Sequence, residues 1–173
     1  MRDRVLRRVL LTLALALLAV PLLAQGGSVT TRLRAFDEVP ALSTPGGAHF
    51  EATLNEDGTE LSYTMNYFNI EGSVTQSHIH IGQKGVNGGI MVFLCSNLGN
   101  GPAGTQSCPA HSGTISGTLQ ASNIIGPTAQ GIGAGEFFSF TRALRAEVAH
   151  VNIHTDLFPG GEIRGQVRFT PAP

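Results

Sequence analysis

The stretch GAHFEATLNEDGTELSYTMNYF at residues 47–68 decides the fold class. Its first arm alternates, with Phe50 and Leu54 on one face and polar side chains on the other. The second arm, residues 60–68, alternates in the same way. Because successive side chains of a strand point to opposite faces, this period indicates two half-buried strands. The NEDG segment at 55–58 is a strong turn signal, so the stretch predicts an antiparallel hairpin.

Short runs of the same kind continue on both sides of this hairpin. They lie at residues 29–37, 77–82, 90–95, 113–120, 150–155 and 162–169. The stretch SFTRALRAEVA at 139–149 instead has helical character, with Leu144 and Val148 four residues apart. Ser139 or Thr141 is the expected N-cap of this helix. About eight short strands with Gly-rich turns predict an all-β fold, an antiparallel Greek-key β-sandwich with one short helix.

The amino terminus has the pattern of an export signal. Four of the 11 Lys and Arg residues lie in residues 1–8, and an uncharged apolar run follows from Val9 to Ala24. This run is shorter than the roughly 20 residues that a membrane-spanning helix needs. We therefore expect residues 1–24 to be a secretory signal peptide, with an uncleaved membrane anchor as the alternative. Residues 25–173 are then one exported domain, periplasmic or extracellular, with no membrane span after cleavage.

Charge and cysteine content narrow the class of partner and the compartment. Beyond the signal, seven basic and 11 acidic residues remain, and no run of Lys or Arg occurs. Nucleic acid is therefore not an expected partner. Cys95 and Cys108 flank a segment rich in Gly, Asn and Ser. In an exported chain this pair favours a disulfide, with a metal-binding or catalytic thiol pair as the alternative.

The histidines form the main concentration of reactive side chains. The sequence has no phosphate-binding glycine loop, no HExxH and no GxSxG, so a binding role is expected rather than catalysis. In SHIHIG, His78 and His80 share one face of a strand, and in HVNIHT, His150, Asn152 and His154 share one face. Both strands are expected to expose imidazole on their polar side.

A metal site is one interpretation of these histidines. His78 and His80 can bind one copper or zinc ion, and such ions prefer further ligands. His154 is the first candidate for the additional ligand, His111 the second and His150 the third. The alternative interpretation is structural, because a histidine on the polar face of a strand can simply hydrogen-bond a neighbouring carbonyl or carboxylate.

The two histidine segments, read as SHIHIGQKGVNGGIMVFLC and HVNIHTDLFPGGEIRGQV, resemble the CHRD domain family, named after chordin and found in many secreted bacterial proteins. The resemblance covers about residues 30–169. The positions that carry it are His78, His80, Gly82, Asn87, Gly88, Asn152, His154, Thr155, Pro159, Gly160, Gly161, Glu162, Arg164 and Gly165. It implies an extracellular type of binding domain. It does not imply the growth-factor antagonism of chordin itself.

A fainter resemblance links the order of the histidines to copper/zinc superoxide dismutase. It implies His78, His80, His154 and His111 as copper ligands, and Arg164 as the residue that attracts an anion. The dismutase zinc site needs a bridging histidine with further histidine and aspartate ligands, whereas here only His111 lies in the corresponding interval, and no aspartate is near it. The resemblance therefore does not extend to dismutase activity.

The segment PGGEIRGQ also has a structural interpretation. Its glycines allow a tight turn, and Glu162, Arg164 and Gln166 then project on one side. Arg164 is expected to pair with Glu162 or another carboxylate and so anchor a loop, with anion binding as the alternative.

Three functional hypotheses follow from these patterns. The first is an exported, non-catalytic CHRD-type domain that binds an unknown protein or surface ligand. The second is a copper- or zinc-binding exported protein that uses the histidine cluster. The third is a structural protein of a surface or matrix.

Overall fold

The computed structural model describes residues 26–173, so the expected signal peptide at 1–24 lies outside the described residues. Nine strands, one α-helix and three single-turn 3-10 helices form the regular structure of the described part, and the strands and α-helix position the site. They are β1 (Gly27–Arg34), β2 (Gly47–Leu54), β3 (Leu61–Phe68), β4 (Val74–Ile81), β5 (Ile90–Ser96), β6 (Gly113–Leu119), α1 (Phe137–Arg145), β7 (Ala149–Thr155), β8 (Ile163–Gln166) and β9 (Arg168–Pro171). In this range, no helix has the length and apolar character to cross a membrane.

All nine strands belong to one antiparallel sheet that nearly closes on itself. The order is β5-β4-β7-β8-β1-β2-β3-β6, and β9 pairs with β1. The two end strands approach each other, because the Gln106 side chain donates hydrogen bonds to the Leu94 carbonyl on β5 and to the Ser116 carbonyl on β6, each at 3.1 Å. The expected all-β antiparallel class is confirmed. The count is nine because the run predicted at 162–169 breaks at Val167 into β8 and β9.

The hairpin predicted at 47–68 is present as β2 and β3. Its register runs from Gly47 opposite Phe68 to Leu54 opposite Leu61. The turn is held by the Asn55 side chain, whose Oδ1 accepts hydrogen bonds from the backbone N–H groups at positions 59 and 60. The alternating apolar side chains of both arms are buried in the core. Local alternation and turn chemistry therefore determine this part of the fold.

The helix is shifted toward the amino terminus relative to the prediction. It spans Phe137–Arg145, because Phe137 and Phe140 lie one turn apart and both bury their rings in the core. The predicted caps are wrong. Ser139 lies within the first turn and donates to the Glu136 side chain, and Thr141 donates to a helical carbonyl. The chain then leaves the helix through Glu147, whose φ is +55°.

The predicted disulfide between Cys95 and Cys108 is present. It joins the end of β5 to the loop that precedes β6. Asn97 reinforces this connection, since its Nδ2 donates to the carbonyls of Val74 and Cys108 and its Oδ1 accepts from the Cys108 N–H. The Gly-rich segment between the cysteines is thereby fixed against β4, at the end of the strand where the histidine segment begins.

Candidate metal centre

The two histidine strands, β4 and β7, are direct neighbours in the sheet. His78 lies opposite Asn152, and His80 lies opposite His150. Side chains alternate along each strand, so Ile79 and its neighbours on β7 point into the core while the imidazoles point to the other face. Antiparallel pairing therefore brings together histidines that lie 70 or more residues apart in sequence.

The imidazoles are buried, so the expectation that the strands expose them is wrong. His78 is 0% exposed, His150 2%, His154 8% and His80 9%. Two loops cover this face. The loop after β4 contributes the Gly88 carbonyl to His80, and the loop after β7 contributes the Pro159 carbonyl to His154. The imidazole face of the two strands is therefore buried beneath loops, whereas the opposite face is buried in the core of the sheet.

Three of the histidines converge on one point. Among the described residues, His78, His80 and His154 form a group whose possible ligand atoms all lie within 4.8 Å of one another. The ring centroids of His78 and His80 are 5.3 Å apart, and that of His154 lies 5.0 Å from His78 and 6.2 Å from His80. Since zinc–nitrogen bonds are about 2.0–2.1 Å long, one ion can bind all three rings after small side-chain rotations.

Backbone carbonyls determine which ring nitrogen of His80 and of His154 is available to bind a metal ion. Nδ1 of His80 lies 2.9 Å from the Gly88 carbonyl, and Nδ1 of His154 lies 2.9 Å from the Pro159 carbonyl. A carbonyl oxygen can only accept, so each Nδ1 carries the proton and each Nε2 carries a lone pair. Histidines that bind metals commonly donate their second ring N–H to a carbonyl in this way.

Several nitrogens of the cluster lack a hydrogen-bond partner. Both ring nitrogens of His78 and Nε2 of His80 are buried and unpartnered. Nε2 of His154 accepts a hydrogen bond of 2.8 Å from Nδ2 of Asn152, whose own Oδ1 has no partner. Buried polar atoms without partners are rare and each costs about 1–3 kcal/mol. The concentration of such atoms at one point indicates a site built to bind something.

Burial keeps the cluster uncharged. It lowers the pKa of His78 to about 2, that of His150 to about 3 and that of His80 to about 4, and repulsion from neighbouring positive groups adds to the effect. Burial also lowers the pKa of His154, against the opposing influence of its hydrogen bond to Pro159. At neutral pH the rings are therefore neutral imidazoles, the form that coordinates a metal ion.

The remaining ligand candidates lie outside the three-histidine group. The His150 ring stacks on the His80 ring at 5.0 Å with 4° between the planes. His111 is exposed in a loop, and its Nδ1 lies 3.1 Å from the Gly72 carbonyl. Sequence reasoning missed Phe93, whose ring meets His78 edge to face at 4.4 Å. The apolar run at 90–95 contains this residue, but its contact depends on the pairing of β4 with β5.

Arg164 anchors a loop, as expected, but through partners other than the predicted carboxylate. Its guanidinium donates to Asn87 Oδ1 at 2.9 Å and to the carbonyls of Gln83 and Val86 at 3.2 and 2.6 Å. Burial lowers the Arg164 pKa, and the charge of Glu38 partly opposes this change. The loop held by Arg164 is the loop whose Gly88 carbonyl orients His80, so Arg164 supports the cluster from outside it.

Glu162 anchors a different loop. Its carboxylate is 0% exposed and accepts hydrogen bonds from the N–H groups of Glu71 and Gly72 and from the Thr155 hydroxyl. Gly161 has a φ of +125°, a conformation that favours glycine, and it starts the turn into Glu162. The PGGEIRG segment is therefore a structural support for the histidine face.

A nearly closed antiparallel sheet, a disulfide and a covered imidazole cluster together define a disulfide-bonded all-β domain with a candidate metal centre. The family model of the CHRD domain matches residues 29–167, and the chain belongs to the CHRD family. The resemblance drawn from the two histidine segments is thereby confirmed. No curated protein and no solved structure matches the chain.

Proposed function

We propose that this chain is an exported CHRD-type domain that binds one copper or zinc ion through His78, His80 and His154, without catalytic turnover. The observation that carries the proposal is the convergence of three buried imidazoles with ligand atoms within 4.8 Å of one another. The unpartnered nitrogens of His78 and His80 supply the physical reason, because a metal ion would satisfy both.

The ligand set limits the choice of metal. Imidazole suits zinc and copper, whereas magnesium and calcium need oxygen ligands. The three-histidine group contains no carboxylate, and both cysteines are joined in the disulfide. The ligands therefore leave the charge of the ion uncompensated. Three neutral imidazoles bind Zn(II) as well as copper, so the ligand set is compatible with both metals.

The cover over the cluster supports a binding role over catalysis. A catalytic metal site keeps a coordination position open to water or substrate. Here His78 is fully buried, and carbonyls of two covering loops bond His80 and His154. A bound ion would be enclosed by protein.

Two observations support export. The basic and apolar pattern at 1–24 is that of a secretory signal, and the Cys95–Cys108 disulfide suits an oxidising compartment. The CHRD domain is itself of an extracellular type. The compartment is tested by fractionating the native producer and sequencing the amino terminus of the recovered chain.

The metal site is tested with protein purified from the periplasm or medium without a histidine tag. The chain is equilibrated with Cu(I) under reductant, Cu(II) or Zn(II), desalted and assayed by elemental mass spectrometry. We expect about one equivalent of copper or zinc, and less than about 0.1 in His78→Ala, His80→Ala or His154→Ala. His111→Ala, which changes an exposed histidine, is the matched control and should retain the ion.

Two results would contradict the proposal. One is a wild-type chain that retains none of the three ions. The other is a folded triple variant of His78, His80 and His154 that retains the ion fully. Circular dichroism of every variant separates loss of the site from loss of the fold.

A further inference from the structure

A groove separate from the histidine cluster crosses the outer face of β1. It has a volume of about 960 Å³ and lies between β1 and β2 on one side and the segment that follows α1 on the other. Thr30 and Arg32 of β1, Lys84 of the loop after β4, and Arg168 of β9 are among the residues that line it. Arg32, Lys84 and Arg168 are exposed to solvent.

The groove concentrates positive charge in an acidic domain. Residues 26–173 contain seven basic and 11 acidic residues. Five of the seven basic residues line the groove, against three carboxylates. The basic ones are Arg32, Arg34, Lys84, Arg164 and Arg168, and the acidic ones are Asp37, Glu51 and Glu147. Residues 26–173 contain no basic run, so this concentration is produced by the fold.

Three of these cations have no partner in the described part of the chain. Arg34 is paired with Asp37 at 2.8 Å, and Arg164 is bonded to the loop after β4. The side chains of Arg32, Lys84 and Arg168 make no hydrogen bond or ion pair with any residue in 26–173. An anion in the groove therefore would not compete with an internal partner for these three side chains.

The placement of the three cations indicates a ligand with several anionic groups. Arg32 lies on β1, Arg168 lies opposite Thr30 on the neighbouring β9, and Lys84 enters from a loop. Neighbouring residues on one face of a strand are about 6.6 Å apart, so the three charges are spread along the groove. A single exposed cation holds a small anion weakly, whereas linked anionic groups bind several cations together.

We propose that this groove binds an acidic polysaccharide, a chain of sugars that carry carboxylates. Guanidinium groups bind carboxylates through paired hydrogen bonds, and the hydroxyl of Thr30 and the amide of Gln83 can bond sugar hydroxyls. Nucleic acid fits less well. Phe50 is the only Phe, Tyr or Trp in the lining and is 0% exposed, so the exposed His49 is the one aromatic ring there on which a base could stack. The proposal does not rest on the metal centre.

Binding is tested on the purified exported chain with a short oligogalacturonate. The same oligomer with every carboxylate methyl-esterified is the matched ligand control. We expect the acid form to bind, the ester not to bind, and the affinity to fall steeply as salt is raised. Absence of binding to the acid form, or equal binding of the ester, would overturn the proposal.

Variants locate the binding in the groove. Arg32→Gln, Lys84→Gln and Arg168→Gln should each weaken binding by about three- to tenfold, and the triple variant should abolish it. Arg142→Gln is the matched control, because Arg142 is an exposed cation on α1 outside the groove lining, and it should bind like wild type.

Three further results distinguish binding of polysaccharide in the groove from non-specific charge attraction, from nucleic-acid binding and from an effect of the metal site. Equal loss in Arg142→Gln would show non-specific charge attraction and overturn the assignment to the groove. A single-stranded oligonucleotide that binds more tightly than oligogalacturonate would overturn the assignment to polysaccharide. His78→Ala should retain oligogalacturonate binding in full, so a failed metal site and a failed groove give different results.

Discussion

The two faces of strands β4 and β7 are equally buried but chemically opposite. On the core face, Ile79, Val151 and Ile153 are each 0% exposed. On the other face, His78 and His150 are 0% and 2% exposed. Burying an aliphatic side chain stabilises the fold by about 1.5–3 kcal/mol, whereas burying an unpartnered ring nitrogen costs free energy. The core face therefore stabilises the fold, whereas the cost of the histidine face is explained by a ligand that binds its ring nitrogens.

The covers over the two faces differ as well. The core face is closed by the rest of the sheet and by α1, through apolar packing. The histidine face is closed by loops that polar contacts hold in place, among them Arg164 to Val86 and Glu162 to Glu71. The two faces of the same strands are therefore closed in different ways, one by apolar packing and the other by hydrogen-bonded loops.

The largest expected difference between the two faces is the effect of low pH on the free energy of unfolding. In an unfolded chain histidine titrates near pH 6.5, but in the fold the pKa of His78, His150 and His80 is about 2, 3 and 4. Above that unfolded pKa, stability does not depend on these groups. As the pH falls below it, the unfolded chain binds protons that the folded chain does not. Stability then falls by about 1.4 kcal/mol per pH unit for each histidine.

We therefore expect the metal-free domain to unfold between about pH 6 and pH 4, since the summed loss reaches the stability of a typical domain. Urea unfolding at a series of pH values measures the slope. His78→Leu should make the slope shallower by about one proton. Ile79→Val, on the core face, should lower stability equally at every pH. A slope unchanged in His78→Leu would refute this account of the histidine face.

Truncation of a single core side chain gives the next largest effect. Ile79→Ala should lower the free energy of unfolding by about 2–5 kcal/mol, because it leaves a cavity in the sheet. The folded fraction should still bind one ion. His78→Leu should do the reverse, with binding lost and stability equal to or above that of wild type, because it removes two unpartnered nitrogens. Urea unfolding and metal analysis of both variants check that each variant loses one property and keeps the other. A folded Ile79→Ala that binds no metal would contradict the separation of the faces.

Removal of the disulfide should lower stability without favouring either face. Cys95 lies opposite Ser77 on β4, and both cysteines belong to the hydrophobic core, so the bridge lies on the core side of the strand and contributes nothing to the histidine face. The double variant Cys95→Ser, Cys108→Ser should lose about 2–5 kcal/mol, because the Gly-rich loop gains freedom in the unfolded chain. The metal affinity of the folded protein should stay within about threefold of wild type. An affinity loss beyond that would mean that the bridge positions the ligands.

Asn152 offers the smallest and most local test. Its amide donates to Nε2 of His154, the atom proposed to bind the metal, and so stabilises the metal-free site. Asn152→Leu should therefore raise metal affinity by about two- to tenfold, the equivalent of one net hydrogen bond. Competition with a chromogenic chelator measures the change. Gln166→Leu is the control, because Gln166 lies on the same face but bonds backbone carbonyls. A lower affinity in Asn152→Leu would assign Asn152 a positioning role instead.

The sequence predicted those parts of the fold that depend on near neighbours. Alternation and the NEDG turn predicted the β2–β3 hairpin, which has the expected faces. The prediction for α1 was displaced, because the buried rings of Phe137 and Phe140 outweigh the hydroxyls that looked like caps. The break at Val167 also escaped prediction, since the clean alternation there gives no sign that two short strands pair separately with neighbours.

The site was also predicted only as far as it depends on near neighbours in the sequence. Alternation placed His78 and His80 on one face, and the same rule placed His154 with Asn152. The burial of the rings and the partners of Arg164 were not predictable, because they depend on loops that return to the sheet from distant positions. The basic groove was not predictable either, because its residues are far apart in the sequence. Its three free cations are separated by 52 and 84 residues, as their numbers 32, 84 and 168 show.

The sequence by itself determined the all-β class, the family and the strand face on which each of His78, His80, His150 and His154 lies. Those properties follow from the two-residue period of a strand and from short motifs, both of which are local. The tertiary structure alone decided that the two histidine strands are neighbours, that loops enclose their imidazoles and that scattered cations share a groove. These properties depend on which distant segments pair and pack, and residue spacing along the chain does not specify that.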